Sequence, residues 1–255
     1  MAQQTSFKHR AEKDEYRRAA RALFISRDVQ ERFIEDATAG QLQAATRMLK
    51  DEMAHREASK RERMLRQARF PVPKSLEDFD WGNVTFPEAW GKDDMCSLSF
   101  VDRAEDLVFF GKTGRGKTHA ATALGMKAVL EGRPVRFYQT AQLVLALGKA
   151  KREGTLDKVL QDMRRAQVVI LDEFGYVPFD VDGARLLYQV ITECYEVRSV
   201  IFTTNIEFSR WGTIFADDKL AAAIVDRVVH HGRLVEFGGQ SRRLEESLML
   251  GRQVG

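Results

Sequence analysis

Apolar residues recur in two rhythms along this chain. Over the first 70 positions the spacing is helical: Leu42, Ala45, Leu49 and Met53 form one stripe, and Arg56, Lys60, Arg63 and Arg66 continue the same repeat as a basic face. This segment has one Gly and no Pro, and predicts one helix over roughly residues 8–26 and a second over roughly 41–68. Phe70-Pro71-Val72-Pro73 then breaks the pattern, because prolines one residue apart cannot continue a helix. Beyond it, short β-rich runs alternate with amphipathic stretches. Strands are predicted at Leu107–Phe110, Val135–Gln139, Val168–Leu171, Ser199–Thr203 and Leu234–Phe237, and helices near 117–131, 141–152, 155–165, 183–197 and 218–231. The expected architecture is α/β: a helical domain over residues 1–70, then a three-layer core with a parallel five-stranded sheet over 71–255.

Composition narrows the class. In 255 residues, 44% are hydrophobic and 30% charged, which supports a folded core and excludes wholly disordered or collagen-like chains. The net charge of +3 hides an asymmetry: residues 1–70 carry 16 Lys/Arg against 11 Asp/Glu, whereas 71–255 carry 24 against 26. The longest apolar runs are far short of the ~20 residues of a membrane span, and the polar start lacks the apolar stretch of a leader, so the expected location is the cytoplasm. Cys96 and Cys194 lie far apart with no paired Cys or His near either, which argues against a disulfide framework or a zinc site.

The chemistry begins where the first strand of the core ends. Gly111-Lys112-Thr113-Gly114-Arg115-Gly116-Lys117-Thr118 fits G-x-x-x-x-G-K-[ST] and opens a helix. Glycines let the backbone amides curl around phosphates, Lys117 reaches the outer phosphates, and the Thr118 hydroxyl is placed to ligate Mg²⁺. Residues Gly111, Thr113, Gly114, Arg115, Gly116, Lys117, Thr118 and His119 are thus the expected nucleotide contacts. Val168-Val169-Ile170-Leu171 ends in Asp172-Glu173. Alone, such a pair can cap a turn; beside a phosphate loop, Asp172 is the expected Mg²⁺ holder and Glu173 the base that deprotonates water. Asn205, after the next strand, either orients that water or the γ-phosphate, or simply opens a turn.

These residues, with Leu171–Pro178, Tyr195-Glu196, Thr204-Asn205, Trp211, Ile214-Phe215, Asp226-Arg227-Val228-Val229-His230-His231 and Ser241-Arg242-Arg243, resemble the IstB family. Those are AAA+ helper ATPases encoded beside transposases in bacterial insertion sequences and related to DnaC helicase loaders. The likeness spans roughly residues 60–245. It implies an AAA+ P-loop ATPase using ATP and Mg²⁺. It also implies that Arg227 is an arginine finger completing a neighbouring subunit's site, although by its spacing alone Arg227 also reads as a helical salt-bridge member. The resemblance makes Arg243 a nucleotide contact in cis, with Arg242 the competing position, since the family's Ser-Tyr-Arg here reads Ser241-Arg242-Arg243. His230 and His231 suit helix-end roles better than catalysis. About a dozen residues follow Arg243, so no separate lid domain is expected and a homo-oligomer would close the site.

The resulting expectation is an ATPase that binds duplex DNA without reading sequence and assists a transposase; the alternative is a DnaC-like loader of the replicative helicase. Lys149, Lys151 and Arg152, and separately Arg56, Lys60, Arg63 and Arg66, are candidate phosphate contacts, or else solvated faces.

Overall fold

Alternation of side chains on the central strands builds the core of the larger unit. A computed structural model describes residues 2–77, 79–215 and 217–241, with side chains from Arg10 onward. The chain forms two compact units, residues 1–63 and 64–255.

In the smaller unit, α1 (Ala2–Ala22), α2 (Arg27–Asp36) and most of α3 (Ala39–Ala68) surround Tyr16, Ala19, Ala20, Ile34, Leu42 and Leu49. Tyr16 stacks on Phe33 with ring centroids 5.0 Å apart. The expected helix over 8–26 is corrected here: α1 stops at Ala22, and α2 follows as a separate helix the apolar spacing did not reveal. Ile25 N–H closes onto the Ala20 carbonyl (3.0 Å), which ends α1 before Ser26 takes the N-cap of α2. The last turn of α3 carries Met64 and Ala68 into the core of the larger unit, so the chain leaves the smaller unit within a helix, before the proline break.

The larger unit contains β1 (Val84–Thr85), α4 (Lys92–Cys96), α5 (Ser99–Asp102), β2 (Asp106–Phe110), α6 (Lys117–Leu130), β3 (Val135–Gln139), α7 (Thr140–Arg152), α8 (Leu156–Arg164), β4 (Val168–Asp172), α9 (Val181–Cys194), β5 (Ser199–Thr204), α10 (Asp218–His231) and β6 (Gly232–Phe237). Leu107, Phe109, Val168, Ile170 and Ile201 face one apolar cluster, with α6. Val108, Val169, Leu171, Val200 and Phe202 face the other, with α7 to α10. Both faces being buried explains why these strands read as continuous apolar runs. The sheet order is β1-β6-β2-β5-β4-β3. Five strands are parallel as expected, but the sheet has six: Val84 and Thr85 pair antiparallel with Phe237 and Glu236 at the edge. Two residues are too short for periodicity to detect.

Candidate nucleotide site

The phosphate loop leaves β2, a central strand flanked by β5 and β6. Gly111 N–H donates to the Thr204 carbonyl (3.2 Å), tying the loop's start to the end of β5. At its other end Gly116 caps α6 with φ +90°, and a Cβ there would meet the Phe79 ring at 3.0 Å. That backbone is left-handed and the space is taken, so the position requires glycine. Lys117 is 6% exposed, and its ammonium donates to the carbonyls of Gly111 (2.6 Å) and Lys112 (2.9 Å). It is thus folded over the mouth of the loop, where incoming phosphate oxygens can replace those carbonyls.

β4 supplies the acidic wall. Asp172 is 3% exposed, and its Oδ1 accepts from the Thr118 hydroxyl (2.8 Å) and the Thr203 hydroxyl (2.6 Å), while its carbonyl accepts from the Thr140 hydroxyl (2.7 Å). Two threonines on two elements therefore fix the carboxylate, and a third holds the backbone of the same residue. Glu173 then takes φ +55°, a rare conformation for a side chain larger than glycine. Its consequence is geometric: Asp172 and Phe174 on either side are both buried while Glu173 is exposed. Phe174 packs on Trp211 (4.6 Å between centroids) and Phe202 (5.2 Å), and Glu173 N–H donates to Thr203 Oγ1 (2.9 Å), so the strain is held from both sides.

A cleft of about 1160 Å³ brings together Thr113 to His119, Asp172, Glu173, Tyr176 and Thr203. Within it His119 Nε2 lies 2.8 Å from the Ser75 carbonyl and its ring sits against Phe79. Asn205 is not among the lining residues; its Oδ1 is buried without a hydrogen-bond partner in the described residues. Arg227 lies outside the cleft lining too. Its guanidinium donates to the Ala223 carbonyl (3.0 Å) and stacks over Tyr188 and Tyr195 (5.0 and 5.8 Å). His230 meets the Tyr195 hydroxyl and His231 meets Glu196, both at 3.1 Å, which is a helix-end role. Arg242 and Arg243 fall outside the described residues.

Two contributors were missed by sequence reasoning. Thr203 sat unremarked inside an apolar strand, and the Tyr176 hydroxyl lies 3.0 Å from Thr113 Oγ1, bridging the loop after β4 to the phosphate loop. The carboxyl end of a strand adjoining the acidic strand was the available signal for Thr203; nothing local marked the pairing of Tyr176. Among the basic candidates, Lys149 and Lys151 approach Glu153 (3.8 Å) and Asp182 (3.5 Å), and Arg56 approaches Glu52 (2.6 Å); Arg152, Lys60, Arg63 and Arg66 are exposed.

Parallel strands in the order β6-β2-β5-β4-β3, with a glycine loop springing from a central strand onto a helix N-terminus, place the chain among P-loop proteins of the AAA+ fold. The crystal structure of the DnaC helicase loader superposes with a TM-score of 0.50 at 22% identity, covering 56% of this chain and 85% of that one, which supports the fold. The profile of IstB-like ATP-binding proteins matches residues 22–249, and the chain belongs to that family. It is 41% identical over 193 residues to an ATP-binding protein of insertion sequence IS21 from Pseudomonas aeruginosa, covering 74% of this chain and 72% of the relative. It is 39% identical over 186 residues to the corresponding protein of IS232 from Bacillus thuringiensis subsp. berliner, covering 72% and 73%. Among the described residues, no helix is long and apolar enough to cross a membrane.

Proposed function

We propose that this chain hydrolyses ATP with Mg²⁺ and that its ATP state assembles, with further copies, on duplex DNA to assist the transposase of an insertion sequence. The observation that carries hydrolysis is the Thr118–Asp172–Thr203 hydrogen-bond array with Glu173 exposed directly beside it. The donor set suits Mg²⁺: one hydroxyl and one carboxylate oxygen, leaving room for phosphate oxygens and water. When bound, Mg²⁺ neutralises charge on the β- and γ-phosphates. Lys117 moves its ammonium from the loop carbonyls to those phosphates. The attacking water loses its proton to the Glu173 carboxylate as its oxygen bonds to the γ-phosphorus and the bond to the β,γ-bridging oxygen breaks, releasing ADP and phosphate. The Asn205 oxygen is buried outside the cleft lining, so Asn205 is left out of this step.

Arg227 lies away from its own chain's cleft, which favours a role on a neighbour's nucleotide. The insertion-sequence origin of the relatives favours a transposase as partner over a replicative helicase. Lys149, Lys151, Arg152, Arg56, Lys60 and Arg63 remain the proposed phosphate contacts on DNA.

Mixing tests the shared site. Arg227→Ala should bind nucleotide normally yet lose DNA-stimulated turnover, Lys117→Ala should be inactive, and their co-assembled mixture should regain part of the activity at junctions where an intact Lys117 faces an intact Arg227. No recovery in crosslink-verified mixed assemblies would remove the trans role. Equal DNA affinity with ADP and with a non-hydrolysable ATP analogue would remove the nucleotide-switched assembly.

A further inference from the structure

One position of the smaller unit combines backbone strain with an exposed aromatic ring. At the end of α1, Phe24 N–H donates to the Arg21 carbonyl and Ile25 N–H to the Ala20 carbonyl, both at 3.0 Å, and Phe24 takes φ +61°. The same paired bonds end α6 and α7. There the left-handed residue is Gly132 (φ +84°), with Arg133 N–H on Ala128, and Gly154 (φ +67°), with Thr155 N–H on Ala150. Glycine is the residue this helix end favours, because it lacks the Cβ that the conformation crowds. Phe24 has that Cβ and gains no burial in exchange. Leu23 and Ile25 on either side pack against the small core, whereas Phe24 is 92% exposed. Of the described non-glycine residues with a left-handed backbone Phe24 alone is aromatic, and its strain is not offset by burial, which singles it out for a contact made outside the chain.

The surroundings say what kind. Arg18 and Arg21 on the last turns of α1 and Arg27 at the start of α2 are all exposed, and no acidic residue occurs between Glu15 and Asp28. A projecting ring among cations fits a surface of stacked planes bordered by phosphates better than the broad apolar face through which proteins dock. We propose that Phe24 is a wedge that inserts at a base step of duplex DNA while Arg18, Arg21 and Arg27 engage the flanking phosphates. This rests on the reading that the chain binds duplex DNA, and adds a deforming contact to it.

The test uses the full chain, a non-hydrolysable ATP analogue and a duplex carrying 2-aminopurine. Phe24→Gly should weaken duplex binding about tenfold and abolish the fluorescence rise that reports unstacking, while leaving the slope of log K against log salt unchanged. Phe24→Asn, which tolerates the same backbone, should weaken binding equally, and Phe24→Trp should retain it. Arg21→Ala should instead reduce the salt slope by about one. Phe24→Gly should also raise the melting temperature by a few degrees, because the strain is relieved. A wild-type chain that binds no duplex would overturn the proposed function itself. Wild-type binding with unchanged affinity in Phe24→Gly and Phe24→Asn would overturn the wedge alone. Unchanged DNA affinity with lost transposase stimulation would also overturn it, making Phe24 a protein contact.

Discussion

The nucleotide cleft and the N-terminal helical unit are held together by opposite means. In the cleft, buried polar groups satisfy each other: Asp172 is gripped by Thr118 and Thr203, Glu173 N–H is bound by Thr203, and Lys117 closes onto two carbonyls. Around the small core of the helical unit, charged side chains pair near the surface instead, as in the fork of Arg17 on Glu31 (2.9 and 2.7 Å) and the Lys50–Glu15 contact. A buried hydrogen bond fixes geometry because each group left alone is costly, whereas an exposed ion pair contributes little and is screened by salt. The polar groups of the cleft are therefore held in fixed geometry, whereas the charged rim of the helical unit can change at little cost to stability.

The sharpest way to break this contrast is in the cleft. Lys117→Ala should lower ATP affinity by at least ~100-fold, and Glu173→Gln should keep affinity yet slow turnover by a similar factor or more, read by fluorescent-nucleotide binding and phosphate release. Turnover by Glu173→Gln at the wild-type rate would remove Glu173 as the base.

The next effect comes from beneath the site. Asp106 opens β2, is 5% exposed, and accepts from Val200 N–H (2.7 Å); burial pushes its carboxyl up to about 7. The unfolded chain loses that proton near pH 4, so between pH 4 and 7 the folded state holds a proton the unfolded state lacks, and stability falls as pH rises, by up to about 4 kcal/mol. Neighbouring Glu105 runs the other way. Arg233 and Arg103 hold it down to about 2, so its contribution is present above the ordinary carboxylate range and lost as pH falls through about 4 toward 2. Asp106→Asn should flatten denaturant-derived stability between pH 4 and 7 and leave the acid limb in place. An unchanged slope would show that Asp106 ionises normally.

Thr203→Val should cost about 1–3 kcal/mol and slow turnover more than it weakens nucleotide binding, because it unties both Asp172 and the Glu173 amide. Equal losses in kcat and affinity would mean that it supports only the fold. Lys50→Ala, in the helical unit, should barely shift stability and lose even that effect at high salt. A larger, salt-insensitive loss would erase the distinction between the two regions.

The phosphate-loop motif and the pair Asp172-Glu173, which the fold brings into one cleft, stand out in the sequence because their pattern is local: glycines at fixed spacing, a lysine, a hydroxyl, and carboxylates closing an apolar strand. The five parallel strands were readable for a related reason, since strands buried on both faces leave continuous apolar runs. What the tertiary structure alone decided depends on partners distant in the chain. Edge strand β1 exists because Val84 and Thr85 meet Phe237 and Glu236, and two residues carry no period. Thr203 joins the site because β5 lies beside β4, and Tyr176 because its loop turns back over Thr113. The left-handed conformations of Glu173 and Phe24 are likewise invisible in sequence, where nothing marks a carboxylate or an aromatic residue for a backbone glycine would favour. Spacing along the chain determined which groups are available for phosphate chemistry; packing between elements decided which of them meet, because burial satisfies a polar group only where a second one, remote in sequence, is brought within hydrogen-bond reach.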